Sequence, residues 1–163
     1  MQRNNVGESK GTTSLSRLFL DTNIFLELEF QDERWLECRD LLKKIESGEI
    51  KASTSDFIVY SSILEIESKE RGRSEAKIAT FLSVLSSLKG LSIFRPTFNA
   101  MTDAAPAMKK RRLDFDDSYV VSCMKEEDVK TLVSFDRHFD KQSEVERLEP
   151  NQILESMATE KTS

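Results

Sequence analysis

The residues best equipped for chemistry in this chain are aspartates, and their spacing is informative. The stretch 113–140, LDFDDSYVVSCMKEEDVKTLVSFDRHFD, opens with Asp114, Asp116 and Asp117 at the start of a helix-like run. Acids are ordinary at a helix start, where the helix dipole favours negative charge. Asp117 is less ordinary, because Val120, Val121 and Met124 follow it at three, four and seven positions. That spacing puts Asp117 on the stripe that faces the core. A second acid, Asp136, closes the apolar run Thr131-Leu132-Val133-Ser134-Phe135, and a third, Asp21, closes the short strand-like run Arg17-Leu18-Phe19-Leu20. A half-buried carboxylate is costly unless something positive pairs with it. Several of them meeting in one place call for a cation.

The flanking sequence supplies the elements that would bring these acids together. A first strand is expected over 17–20, turning at Asp21-Thr22-Asn23 into a short helix that carries Ile24, Phe25 and Leu26. The apolar set Trp35, Leu36, Leu41, Leu42 and Ile45 predicts a helix over 32–47, with Gly48 where a helix C-terminal glycine belongs. A short second strand is expected at 50–53. Ser55 and Asp56 then read as the N-terminal cap of a helix over 57–70, and Ser74 as the cap of another that Gly90 stops. A third strand follows at 91–94, then a helix over 99–108. Pro106 predicts a kink or break in it, since proline removes a donor and clashes with the preceding turn. The aspartate-rich stretch contributes one helix and a fourth strand, and 144–148 a fifth strand at an edge. Residues 1–16 are polar and read as a disordered tail, 17–150 as one domain, and 151–163 as a fraying C-terminal tail. Strands alternating with helices predict an α/β fold with a mostly parallel sheet covered on both faces. In such sheets ligands gather at the carboxyl ends of the strands, where Asp21, Asp117 and Asp136 can share one crevice.

Composition narrows the function. A chain of 163 residues with 38% hydrophobic and 33% charged residues suits one domain with a core under a charged surface. Cys38 and Cys123 lack metal-ligand spacing and read as reduced thiols. No apolar run approaches membrane-spanning length and the first sixteen residues lack a secretory pattern, so the expected address is the cytoplasm, with no membrane partner. The net charge of −5 does not favour nucleic acid on overall field alone. One basic run, Lys109-Lys110-Arg111-Arg112, stands directly before the acids. It fits a solvated helix end and a nucleic-acid-binding patch equally well.

Taken together, Phe19-Leu20-Asp21-Thr22-Asn23, Leu113-Asp114-Phe115-Asp116-Asp117-Ser118 and Leu132-Val133-Ser134-Phe135-Asp136 resemble the PIN domain, most closely the small ribonuclease toxins of the VapC type. Ser118 stands where that pattern has Ala, and Ser134 where it has Thr. The likeness covers about residues 17–150. It implies a three-layer α/β/α fold and a divalent-metal-dependent endoribonuclease, the toxin of a toxin–antitoxin pair, with RNA as substrate. It further implies a small antitoxin protein as partner and a homodimer. By position, Asp21, Asp117 and Asp136 would be metal ligands and catalytic, and Asn23 and Ser134 would contact the ligands or the substrate. Asp114 and Asp116 are either auxiliary acids or helix-start residues. Carboxylate oxygens are hard ligands that suit Mg²⁺ or Mn²⁺.

The chain departs from the pattern at one place. The family has a glutamate about seven residues after a Thr-Ser pair, and counting from Thr54-Ser55 reaches Ser61. Glu65 lies one helical turn further on the same face. It reads as a solvated helix charge; either it or Asp56 at the helix start is placed to substitute through a water, and otherwise the site runs on three carboxylates. His138 reads as a surface loop residue. The missing glutamate supports an alternative: a PIN-like RNA- or protein-binding module whose metal site is degraded.

Overall fold

The computed structural model describes residues 17–160. Its centre is a five-stranded sheet in the order β3-β2-β1-β4-β5, from β1 (Leu18–Leu20), β2 (Ala52–Ser55), β3 (Leu91–Phe94), β4 (Thr131–Val133) and β5 (Glu146–Leu148). All four pairings are parallel. Every residue of β1, β2 and β4 is buried. Successive strand residues point to opposite faces, so both faces of the sheet are covered. The result is the three-layer α/β/α architecture. The helices are α1 (Thr22–Phe30), α2 (Trp35–Glu46), α3 (Asp56–Glu70), α4 (Glu75–Ser87), α5 (Phe98–Arg111), α6 (Phe115–Glu127) and α7 (Pro150–Glu160). The chain winds outward through β2 and β3, then returns to pair β4 on the other side of β1. The β1–β4 boundary is therefore the point where strand order reverses, and crevices open there at the strand carboxyl ends.

Three elements differ from the sequence expectation. The second strand lies at Ala52–Ser55, not 50–53. Ile50 instead sits in a turn, its amide bonded to Lys44 O at 3.1 Å. The polar run Ser53-Thr54-Ser55 can be buried in the sheet because each hydroxyl is satisfied. Ser53 Oγ donates to Glu127 (2.8 Å), Thr54 Oγ1 donates to Leu20 O (2.9 Å), and Ser55 Oγ accepts from Ile58 N (3.2 Å). The helix before the acids runs through Pro106 to Arg111. Pro106 and Thr102, the residue whose carbonyl it leaves without a helical donor, are both exposed, so water can serve that oxygen. Ala100 and Ala104 pack the opposite face into the core. The C-terminal stretch expected to fray from 151 forms α7, which buries Ile153 against the core and lies on α2. The expected N-terminal tail lies outside the described residues.

Gly90 has a role beyond ending a helix. A Cβ there would stand 2.2 Å from Ile50 O and 2.7 Å from Ile45 O. The backbone passes too close for a side chain, which lets Gly90 N bond Ile45 O (2.8 Å) and Gly90 O accept from Ala52 N (2.9 Å). Cys38 and Cys123 are buried free thiols, pushed up to about 12 by burial. Among the described residues no helix is long and apolar enough to cross a membrane.

Candidate metal and active site

The β1–β4 boundary places two acids side by side. Asp21 N bonds Val133 O at 3.1 Å, so the end of β1 is clamped to β4. Asp21 then caps α1, its Oδ1 accepting from Thr22 N at 2.7 Å. Its Oδ2 accepts from Asn23 Nδ2 (2.9 Å) and Ser134 Oγ (2.6 Å). Ser134 Oγ also accepts from Asn23 Nδ2 (3.0 Å) and Asp136 N (3.0 Å), and Asn23 Oδ1 accepts from Phe135 N (3.2 Å). Asn23 and Ser134 thus tie the Asp21 turn to the Asp136 turn. Asp136 caps a 3-10 helix over Arg137–Lys141, accepting from His138 N at 2.8 Å. The third acid comes from α6. Asp114 is that helix's cap, its carboxylate accepting from Asp117 N at 2.9 Å. Asp114 therefore serves the helix start, and Asp117 is turned inward one residue before the fully buried Ser118.

A crevice of about 410 Å³ gathers these groups. Asp21, Asn23, Asp117 and Asp136 line it, with Asp116 at the wall and Leu26 and Val120 as apolar neighbours. The helix after β2 supplies the opposite wall through Phe57, Ser61, Leu64 and Glu65. Glu65 lines this wall while remaining exposed to solvent, so it keeps its reading as a solvated charge at the edge of the crevice. Its signal was present in the sequence: 57, 61, 64 and 65 share one helical face. His138 also joins the site. Asp117, Asp136 and His138 each offer a ligand atom, all within 4.8 Å of one another, and His138 Nδ1 lies 3.2 Å from Asp136 Oδ1. Sequence spacing could not reveal this, because the 3-10 turn brings the imidazole back over the acid that caps it.

The electrostatics are those of crowded acids. Burial pushes the Asp117 carboxyl up to about 6, helped by Asp114, Asp136 and Asp21 and opposed by His138. Burial likewise raises Asp21, which is only 8% exposed, against the hydrogen bonds from Ser134, Thr22 and Asn23 that favour its charge. Burial and like charge both disfavour ionisation, and a cation among the carboxylates would reverse both effects. The donors are carboxylate oxygens with one imidazole, a set that fits a hard or borderline divalent ion and not a thiolate-seeking one.

The basic run divides. Lys109, Lys110 and Arg112 are exposed. Arg111 is only 9% exposed, and each of its three side-chain nitrogens is engaged within the protein, which sets it apart from the three exposed cations. Its Nε and Nη2 hold Glu144 (3.1 and 2.9 Å), and its Nη1 donates to Ser118 O (3.0 Å), Ser118 Oγ (3.1 Å) and Ser122 Oγ (2.9 Å).

Comparison with known proteins agrees with this architecture. A family model described as PIN domain matches residues 18–145. No curated protein matches the chain in sequence. Among solved structures, the Mycobacterium tuberculosis toxin VapC20, described as cleaving the sarcin–ricin loop, is 16% identical with a TM-score of 0.60. That match covers 76% of this chain and 92% of the toxin. VapBC2 from Rickettsia felis, bound to a DNA fragment from its promoter, is 15% identical with a TM-score of 0.59, covering 81% of this chain and 97% of the other. A toxin–antitoxin complex from Klebsiella pneumoniae is 17% identical with a TM-score of 0.56, covering 83% and 98%. At these identities the likeness is one of fold.

Proposed function

This chain belongs to the PIN domain family, and on that premise we propose that it is a divalent-metal-dependent endoribonuclease, the toxin of a toxin–antitoxin pair. The observation that carries the reading is the meeting of Asp21, Asp117 and Asp136 in one crevice where the strand order reverses. PIN domains are generally nucleases, and the structural neighbours described as toxins or toxin–antitoxin assemblies support the toxin role. Asp117 and Asp136 would hold Mg²⁺ or Mn²⁺, with Asp21 beside them and His138 in reach. Such an ion, when bound, lowers the pKa of a bound water and neutralises charge on a phosphodiester.

The chain's own residues supply the rest. Asn23 and Ser134 fix the rotamers of Asp21 and the start of the Asp136 turn, so that two acids keep a constant separation. Phe57, Leu64 and Val120 give the crevice apolar walls that exclude part of the solvent. Lys109, Lys110 and Arg112, exposed just before the α6 acids in the chain, would attract the RNA backbone. A small antitoxin that covers the acidic crevice and a homodimer complete the reading. Light scattering of the purified protein tests the dimer, and co-purification with the product of the adjoining reading frame tests the antitoxin.

Ser61 in the crevice wall favours a second reading, a binding module with a degraded metal site. Glu65 on the same wall weighs against it. Incubation of purified protein with RNA and Mn²⁺, beside Asp117→Asn, decides. The nuclease reading expects cleavage by the first and none by the second. No cleavage of any RNA at high Mn²⁺ hands the site to the binding module.

A further inference from the structure

Asp117 and Asp136 come from different elements, so something must fix the distance between the first turn of α6 and the 3-10 turn after β4. One largely buried network links these two turns, and its centre is Arg111. Arg111 is the last residue of α5, and the following residue, Arg112, leaves the helix in the left-handed conformation at φ 57°. The guanidinium turns under α6 and bonds Ser118 O, Ser118 Oγ and Ser122 Oγ at 2.9–3.1 Å. Ser118 is the neighbour of Asp117, and its hydroxyl donates back to Ala104 O of α5 at 2.9 Å. The first two turns of α6 are therefore fixed in roll as well as in place. The other side of the residue reaches the end of the turn that Asp136 begins. Gln142 Nε2 donates to Arg111 O at 2.9 Å and lies 3.5 Å from His138 O. Gln142 is buried and terminates the 3-10 helix that Asp136 begins, its amide bonded to Phe139 O at 3.0 Å. Glu144, two residues on, holds the guanidinium fork from the same loop.

We propose that Arg111, together with Gln142, is a positioning bracket that sets the placement of Asp117 relative to Asp136 and His138. The inference rests on the reading of those residues as a metal site, but the bracket is a property of the metal-free chain. It needs arginine because five donors in a planar fork serve Glu144 and three oxygens at once, which a lysine ammonium cannot do. Metal-site placement tolerates little error, and loss of an outer partner typically weakens metal binding tenfold to a hundredfold.

The test uses the full chain and Gln142→Ala, Arg111→Lys and Glu144→Gln. Mn²⁺ affinity is read by calorimetry, and amide hydrogen exchange is read on the metal-free protein. Gln142→Ala and Arg111→Lys should each weaken Mn²⁺ binding about tenfold or more, and Glu144→Gln, which spares the serine bonds, by less. In the metal-free protein Gln142→Ala should speed exchange both around 115–119 and around 136–142. Variants that melt earlier yet bind Mn²⁺ like the wild type would reduce the network to a stability role and overturn the proposal. If Arg111→Lys does not fold, Gln142→Ala decides. If the wild type binds no Mn²⁺, the metal reading fails, and exchange decides the bracket alone: faster exchange in both segments upholds it, and a change confined to 136–142 overturns it.

Discussion

Replacing Asp117 by Asn should stabilise the metal-free protein at neutral pH while removing its response to metal. The folded carboxyl is held at about 6 against an ordinary 3.8, chiefly by burial and then by Asp114, Asp136 and Asp21. A folded-state value above the unfolded one means that the folded protein binds the proton more tightly. The cost of ionising Asp117 is thus absent below pH 4, builds as pH rises from about 4 to 6, and is complete above that. The full gap corresponds to about 3 kcal/mol, and solvent reaching this half-buried group reduces it to about 1.5 kcal/mol. For a domain of this size that is a rise in Tm of about 3–6 °C. Asn keeps the shape, and the backbone bond from Asp117 N to Asp114 survives. Thermal melts with chelator at pH 7.5 should show the gain, and melts at pH 4 should not. Added Mn²⁺ should raise the wild-type Tm and leave the variant nearly unmoved. A variant that is less stable than wild type at pH 7.5, or whose gain persists at pH 4, would refute the electrostatic account of the cluster.

Further outcomes test the walls and the surface. Ser61→Glu should tighten Mn²⁺ binding, and Glu65→Gln should change it little because Glu65 is exposed at the crevice wall; calorimetry in which Glu65→Gln abolishes binding as Asp117→Asn does would make Glu65 the relocated fourth acid. His138→Ala should cost Mn²⁺ affinity more than Mg²⁺ affinity, since imidazole suits the softer ion; equal losses in paired titrations would remove His138 from the site. Charge reversal at Lys109, Lys110 and Arg112 should weaken RNA binding and lower the salt slope by about one for each phosphate no longer neutralised, an effect that filter binding across a salt series reads directly. Gly90→Ala should destabilise the fold by about 2 kcal/mol or more in a urea melt, because the new Cβ meets two backbone oxygens that cannot both retreat.

Local pattern carried much of this protein. The alternation of short, largely apolar runs with helical stripes pointed to the parallel sheet, since strands buried on both faces favour such runs, as at Leu18–Leu20 and Leu132–Val133. The position of Asp117 three and four residues before Val120 and Val121 gave its inward orientation, because helical periodicity is a property of the chain's own geometry. What periodicity could not give were partners far away in the chain. Spacing ends the second strand at Ser53, and only Glu127 and Leu20 O, which satisfy the Ser53 and Thr54 hydroxyls, show how the polar run to Ser55 can be buried in the sheet. Arg111 looks like one of four surface cations until Glu144, thirty-three residues on, and the serines of α6 take its donors. His138 and Glu65 are exposed, as their sequence reads, yet only the 3-10 turn and the face of α3 put them at the rim of the same crevice as the acids. Ile153 shows the same limit in the core: a tail residue becomes part of a helix only because α2 offers a surface to bury it. Hydrogen-bond and charge compensation is decided by distance in space, and only the folded chain sets that distance.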